Sequence, residues 1–127
     1  MDSKKILLAD DSSDVCALTR LKLEKVGYKV FLASDGEQAL DMIRRIFSNH
    51  VFNLIILDYL MPKLSGLEVL KKIRGSKEYG SLPVIFFTAV DDTGEKEQVL
   101  LLGVEDYILK SEGIDRLVKR AQGFFGN

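Results

Sequence analysis

The residues of this chain that could do chemistry are acids, a threonine and a lysine, each found where a short apolar run ends. In chain order they are Asp10 and Asp11, Asp58, Thr88, and Lys110. Carboxylates brought close together repel one another unless a cation is present. An all-oxygen cluster with room for water suits Mg²⁺, and a hydroxyl and an ammonium opposite the ion could hold phosphoryl oxygens. The set is typical of phosphoryl transfer onto a carboxylate.

Five apolar runs alternate with five segments of helical character, and this order predicts how the reactive residues are positioned. The pattern predicts strands over residues 4–9, 28–33, 53–58, 83–87 and 106–109, and helices over about residues 12–26, 37–47, 65–74, 94–102 and 113–122. Such alternation indicates an α/β fold, a doubly wound parallel sheet with helices on both faces. Because the carboxyl ends of parallel strands lie at one edge, the reactive residues should converge there.

The first helix is expected to begin in a polar segment and to turn one apolar face inward. The segment Ser12-Ser13-Asp14 supplies capping chemistry at its start, and Gly27 provides a stop. Val15, Leu18 and Val26 can share the inward face. In the second helix, the inward positions are residues 39, 40, 43 and 46. In the fifth helix, the apolar residues 114, 117, 118 and 121 recur at helical spacing.

The fourth helix carries four consecutive apolar residues, Val99, Leu100, Leu101 and Leu102. At 100° per residue they span about 300°, which is wider than one buried face. Val99 and Leu102, three positions apart, can point inward together. We therefore expect Leu101 to point largely outward, with Leu100 at the boundary.

Composition indicates one compact domain over residues 1–127 in a reducing compartment. The chain has 127 residues, of which 46% are hydrophobic, and a formal net charge of -1, with no basic stripe that would suggest nucleic acid binding. Its single cysteine, Cys16, excludes an internal disulfide and is interpreted as a packing residue. The start resembles no signal peptide, and no apolar stretch has the roughly 20 residues needed to span a bilayer. We expect a cytoplasmic protein that contacts no membrane.

Five short motifs in order resemble the receiver domain of two-component response regulators, typified by the bacterial chemotaxis regulator. The resemblance covers nearly the whole chain and rests on Asp10-Asp11, the segment Asp58-Tyr-Leu-Met-Pro62 with Gly66, Thr88-Ala89, and Gly103 with Tyr107-Ile-Leu-Lys110. It implies a flavodoxin-like sheet of order 2-1-3-4-5. It also implies a phosphoacceptor function in a histidine–aspartate relay rather than an enzyme.

The resemblance further implies a role for each site residue. Asp58 would accept the phosphoryl group, and Thr88 and Lys110 would bind it. Magnesium would be held by Asp11, Asp58 and the backbone carbonyl of Leu60, with Asp10 acting partly through water. Thr88 and Tyr107 would form the switch. In this family the residues two positions after the phosphoacceptor and after the threonine flank the path of the hydrolytic water, and here they are Leu60 and Val90.

The partners that the resemblance implies are a sensor histidine kinase or a histidine phosphotransfer protein, and an output domain or downstream protein. A homodimer through the surface of helix four, strand five and helix five is also implied. One departure affects local geometry. The family commonly has proline after the lysine, often with a cis bond, whereas Ser111 follows Lys110 here. A cis bond before serine costs roughly 2.5–4 kcal/mol, against about 0.5–1 for proline.

Simpler interpretations remain for individual residues. Asp10-Asp11 could cap the first helix, Thr88 could be a plain strand-end hydroxyl, and Tyr107 could be a packing aromatic. His50, the single histidine, is interpreted as solvated in a polar turn.

Three rival functions use the same architecture. Aspartyl-phosphate hydrolases have a second acid two residues after the nucleophile, where this chain has Leu60, and a flavin carrier would need a phosphate loop in place of Asp10-Asp11. The third rival is a degenerate receiver that docks partners without phosphorylation.

Overall fold

A computed structural model describes residues 3–46 and 52–126, with the side chain of Ile46 not described. In this part of the chain, strands and helices alternate strictly. The elements are β1 (Lys5–Ala9), α1 (Ser13–Lys25), β2 (Lys29–Ala33), α2 (Gly36–Ile46), β3 (Leu54–Leu57), α3 (Gly66–Arg74), β4 (Val84–Thr88), α4 (Thr93–Leu102), β5 (Asp106–Leu109), a short 3₁₀ turn (Lys110–Glu112) and α5 (Ile114–Phe125).

The strands form one parallel sheet in the order β2-β1-β3-β4-β5, which confirms the predicted fold. Ala9 pairs with Leu57 across β1 and β3, and Thr88 pairs with Leu109 across β4 and β5. Every residue of β3 and β4 is buried, as expected of central strands covered on both faces. The residues that follow the strands therefore meet at one edge.

The core is divided by the sheet into two apolar clusters. α2, α3 and α4 pack on one face, and α1 and α5 pack on the other. Phe86 and Phe87 are neighbours in β4 and belong to different clusters, because successive side chains in a strand point to opposite faces. The predicted inward positions of α2 are confirmed where they are described. The apolar positions at helical spacing in α5 are also buried, with Ile114 partly buried.

The predicted inward face of α1 was wrong at Leu18, which is 47% exposed. Val15 and Val26 are partly buried, and the buried residues of α1 are Cys16, Thr19 and Leu23. These three follow at spacings of three and four, so they share one helical face, and the smaller side chains of Cys16 and Thr19 suit close packing against the sheet. Of the predicted capping segment Ser12-Ser13-Asp14, Ser12 is the residue that caps the helix.

The fourth helix has the predicted orientation. Val99 is fully buried, Leu102 is partly buried, Leu100 is 48% exposed and Leu101 is 87% exposed. At the carboxyl end of α4, Gly103 adopts a φ of 92°, a region that favours glycine.

Arg74, the last residue of α3, joins the ends of several elements. Its Nη1 donates hydrogen bonds to the carbonyls of Gly80 (2.9 Å) and Leu82 (2.7 Å) before β4. Its Nε and Nη2 donate to the carbonyl of Gly103 at 3.2 and 2.7 Å. The guanidinium thus satisfies the carbonyl of Gly103 at the end of α4 and two carbonyls of the loop before β4.

α5 continues three residues beyond the predicted end at Gln122. Phe125 packs on Tyr28, with ring centroids 5.0 Å apart, and Gly126 closes the helix in the left-handed conformation. None of the described peptide bonds is cis, so Lys110–Ser111 is trans and leads into the 3₁₀ turn. The prediction for His50 and the predicted helical position Phe47 lie outside the described residues. Within those residues, no helix is both long enough and apolar enough to cross a membrane.

Candidate functional site

Two buried carboxylates and one ammonium meet at the carboxyl edge of the sheet. Asp10 follows β1, Asp58 follows β3, and Lys110 follows β5. Lys110 Nζ lies 2.8 Å from Asp10 Oδ2 and 2.9 Å from Asp58 Oδ2. Asp10 is 2% exposed and Asp58 is 6% exposed, so the ammonium is the counter-ion that makes their burial tolerable. Both were predicted to converge with Lys110, and they do.

The third acid, Asp11, completes a group that could hold a metal ion. Asp10, Asp11 and Asp58 each offer a carboxylate oxygen within 4.8 Å of the others. Asp11 is exposed, so the group opens to solvent on one side. Hard oxygen ligands with access to water are the set that Mg²⁺ prefers. The donor set therefore fits the predicted cation.

Burial and hydrogen bonding oppose each other at these side chains. Burial raises the pKa of Asp10, while the hydrogen bonds from Lys110 and from the backbone N–H of Ser12 lower it, and the net direction is upward. Burial lowers the pKa of Lys110, but its hydrogen bonds to Asp10 and Asp58 outweigh that effect and raise it. The lysine is thus held in its charged form by the two acids.

Thr88 is the fully buried last residue of β4, at the same edge as Asp58. Its hydroxyl accepts a hydrogen bond from the backbone N–H of Val90 at 3.2 Å. An accepting hydroxyl keeps its own proton free to donate to another oxygen. The carbonyl of Val90 in turn accepts a hydrogen bond of 2.7 Å from the phenol of Tyr107. A single residue therefore links the two predicted switch residues.

Tyr107 is buried and makes three kinds of contact. Its ring stacks on that of Phe86, with ring centroids 5.7 Å apart and an interplanar angle of 7°. Lys96 Nζ lies 5.5 Å from the centroid of the Tyr107 ring. The ring of Phe86 also contacts that of Tyr59, the residue after Asp58, with centroids 6.2 Å apart. Burial and the nearby Glu95 raise the pKa of Tyr107 to about 12. The packing role considered for Tyr107 is thus present beside its hydrogen bond to Val90.

The loop that follows Asp58 is closed by a glycine. The backbone N–H of Gly66 donates to the carbonyl of Tyr59 at 2.8 Å, and a side chain on Gly66 would overlap the carbonyl of Asp58. The side chain of Leu60 is 64% exposed. The use of the Leu60 carbonyl as a metal ligand stays a prediction.

Two supporting contacts at Asp10 were not predicted. The thiol of Cys16 donates to the backbone carbonyl of Asp10 at 3.3 Å, and the N–H of Ser12 donates to its carboxylate at 2.9 Å. Burial raises the pKa of Cys16 to about 11, as expected of a packing thiol. The helix-cap interpretation of Asp10-Asp11 was wrong, because the residue that caps α1 is Ser12. A serine directly after the acids was the available sequence signal.

Comparisons with known proteins agree with this arrangement. The family model described as "Response regulator receiver domain" matches residues 6–122. The alkaline phosphatase synthesis transcriptional regulatory protein PhoP of Bacillus subtilis is 40% identical over 85% of this chain, which covers 42% of that protein. Response regulator MprA of Mycobacterium tuberculosis is 37% identical over 93% of this chain and is covered to 49%. The chain thus spans under half the length of these two relatives.

Solved structures share the fold over nearly the full chain. The Francisella response regulator 1452 receiver domain has a TM-score of 0.80 at 34% identity and covers 93% of each chain. The chemotaxis response regulator CheY4 of Vibrio cholerae has a TM-score of 0.84 at 27% identity, covering 95% of this chain and 98% of that one. With the sheet order and the paired carboxylates at its edge, these matches lead to one conclusion: the chain belongs to the receiver domains of two-component response regulators.

Proposed function

We propose that the domain is a phosphoacceptor switch in which Asp58 receives a phosphoryl group from a phosphohistidine. The observation that carries the proposal is the position of Lys110, whose ammonium lies within 2.9 Å of carboxylate oxygens of both Asp10 and Asp58. A cation fixed beside a buried carboxylate can bind the negative charge that a phosphoryl group brings. The single domain would span residues 1–127.

In the proposed step a carboxylate oxygen of Asp58 attacks phosphorus and the phosphorus–nitrogen bond to the donor imidazole breaks. The products are an aspartyl phosphate and a free histidine on the donor, a sensor histidine kinase or a histidine phosphotransfer protein. Lys110 would then pair with a phosphoryl oxygen, and the hydroxyl of Thr88 would donate a hydrogen bond to another. Both side chains are held at the sheet edge before the reaction, so little ordering is needed.

Magnesium is the proposed cofactor. Asp11, Asp58 and the carbonyl of Leu60 would hold it, with Asp10 acting partly through water. When bound, the ion would neutralise charge on the carboxylates and on the incoming phosphoryl oxygens. The grouping of three acids, one of them open to solvent, supports this choice.

The decisive experiment uses acetyl phosphate as a small donor, with and without Mg²⁺. We expect a phosphoprotein whose label maps to Asp58, no label in Asp58→Asn, and a weaker Mg²⁺ dependence in Asp10→Asn. Release of inorganic phosphate in rapid turnover would indicate a hydrolase instead. No label in the parent protein would leave the degenerate docking module, which no present observation favours. A label elsewhere in Asp58→Asn would overturn the assignment of roles.

The proposed output is a change at the surface of α4, β5 and α5. Thr88 and Tyr107 are linked through Val90, so movement of Thr88 towards a phosphoryl group would disturb the Tyr107 hydrogen bond. On the same side α4 presents Leu101, which is 87% exposed. We infer that this surface binds a downstream protein or a second copy of the chain when Asp58 is phosphorylated.

Sedimentation of the parent and of Leu101→Glu, each with and without beryllofluoride, tests self-association. We expect the beryllofluoride form of the parent to associate and the variant to remain monomeric. Identical behaviour of the four samples would exclude self-association through this surface.

We infer that the domain signals rather than turns over free substrate, because the residue two positions after Asp58 is an exposed leucine and not an acid. The names of the relatives describe transcriptional regulators about twice as long as this chain, which supports an output domain or a downstream protein in gene regulation. The receiver itself would not bind nucleic acid. A cytoplasmic location is proposed from the single reduced cysteine.

A further inference from the structure

The loop between β3 and α3 contains a turn of unusual geometry. The N–H of Leu64 donates to the carbonyl of Pro62 at 2.8 Å, and Lys63 between them has a φ of 71°. A hydrogen bond between residues two apart defines a γ-turn, and its positive-φ form is strained for a residue with a side chain. Such a conformation persists only when the surroundings impose it.

The surroundings in contact with this turn lie at the amino end of α2. The N–H of Gly36 donates to the carbonyl of Pro62 at 3.4 Å. A side chain on Gly36 would overlap the carbonyl of Leu64 and would lie 2.7 Å from the Leu64 Cβ. Gly36 is buried, and its φ is outside the left-handed region, so its missing side chain serves the close approach rather than a backbone conformation.

A second contact joins the same two segments. Asp35 accepts a hydrogen bond of 2.7 Å from the N–H of Gln38 through Oδ1, which caps α2. Its Oδ2 lies 3.7 Å from Lys63 Nζ. The residue that caps α2 thus also contacts the centre of the strained turn. Because Lys63 is largely exposed, this ion pair orients the two segments relative to each other but contributes little to the free energy of unfolding.

The shape of this turn affects the rest of the loop, because the loop is short and a hydrogen bond joins its two ends. The bond from Gly66 to the carbonyl of Tyr59 fixes both ends of the loop, so displacement of residues 62–64 must be absorbed by the residues directly after Asp58. We propose that Gly36 is a positioning residue for the metal site: its close approach to Leu64 holds the loop in the shape that aims the Leu60 carbonyl at the cation. This inference rests on the proposed function.

The test is a Mg²⁺ titration of the unphosphorylated full chain, followed by amide NMR shifts. In Gly36→Ala we expect the Kd for Mg²⁺ to rise roughly tenfold, the usual effect of losing an outer support of a metal site. The matched control is Gly123→Ala, where a side chain meets nothing within 4 Å, and its Kd should stay within about twofold of the parent. Amide spectra report whether each variant is folded.

Two changes at Lys63 reach the turn from the other side and leave α2 intact. Lys63→Pro cannot adopt a positive φ, so it should weaken Mg²⁺ binding as Gly36→Ala does. Lys63→Gly adopts it freely and should keep the Kd within about twofold. If Gly36→Ala does not fold, unchanged affinity in Lys63→Pro overturns the inference.

The outcomes separate this inference from the proposed function. A parent protein that binds no Mg²⁺ overturns the proposed function and this inference together. A parent that binds Mg²⁺ and a folded Gly36→Ala with unchanged Kd overturn the inference alone. Acetyl phosphate labelling at saturating Mg²⁺ adds a second readout. There we expect Gly36→Ala to approach the parent rate, because the change affects metal affinity and not the reacting groups.

Discussion

The ammonium of Lys110 lies 2.9 Å from the carboxylate of Asp58, and the same nitrogen pairs with Asp10 at 2.8 Å. This lysine therefore neutralises part of the charge on two of the three acids that could hold a metal ion. A metal ion that binds there would share these carboxylates with Lys110, and the two positive charges would repel each other.

We predict that Lys110→Met binds Mg²⁺ several-fold more tightly than the parent, because the competing charge is gone. Without metal, the variant should lose about 1.5–3 kcal/mol of unfolding free energy, the range for hydrogen bonds to charged groups. Urea unfolding with and without Mg²⁺ measures both effects. Lys22→Met, which removes an exposed ion pair to Asp115, is the control. Equal Mg²⁺ affinity in parent and Lys110→Met would contradict the competition.

The phenol of Tyr107 provides a prediction about alkaline pH. Its folded pKa is raised from 10.0 to about 12. The phenol donates to Val90 in its protonated form, so this stabilisation is fully present below the unfolded pKa and is lost as pH rises through the folded one. The phenolate absorbance of the parent minus that of Tyr107→Phe should show one tyrosine that titrates near pH 12. A difference titration near 10 would mean that Tyr107 is not held as described.

Leu60 is predicted to protect the phosphoryl group. It is 64% exposed, lies two residues after Asp58 and cannot orient a water molecule by hydrogen bonding. We expect slow loss of phosphate from the parent and faster loss from Leu60→Asn. The matched control is Leu21→Asn on α1, where the leucine is 58% exposed. The decay of labelled protein after removal of the donor gives the rates, and equal rates in parent and Leu60→Asn would exclude this role.

Thr19 carries a buried hydroxyl without a hydrogen-bond partner among the described residues. It lies on the α1 face that packs against the apolar cluster, and it is fully buried. Thr19→Val keeps the shape and removes the unpaired group, so we expect unfolding free energy to rise by about 1–2 kcal/mol. Thr93→Val at an exposed position should change it by less than about 0.5 kcal/mol. Denaturant unfolding decides, and a destabilised Thr19→Val would point to an unseen partner for the hydroxyl.

The course of the backbone could be predicted from the sequence better than the orientation of individual side chains. The proximity of Asp58 and Lys110 could be predicted because parallel strands end at one edge of the sheet. Leu18 was misassigned because α1 also carries exposed leucines, so apolar spacing alone did not identify the inward face. The stacking of Tyr107 on Phe86 depends on rotamers, which no period of the sequence encodes. The strained turn at Lys63 depends on α2, which is distant in sequence.

The hydrogen bonds from Arg74 to the carbonyl of Gly103 anchor α4 at its carboxyl end. Val99, near that end of α4, is buried, whereas residues 93–98 of the helix are exposed apart from Glu95, which is partly buried. A ten-residue helix is about 15 Å long, so a 10° swing about the held end moves the free end by about 2.6 Å. We expect a displacement on the Thr88 side to rotate α4 about its anchored carboxyl end. This rotation would change the orientation of Leu100 and Leu101, which lie close to that end. Hydrogen exchange in Arg74→Met tests this role of Arg74. Without the anchoring hydrogen bonds, the exchange rates of the amides of residues 100–103 should rise first.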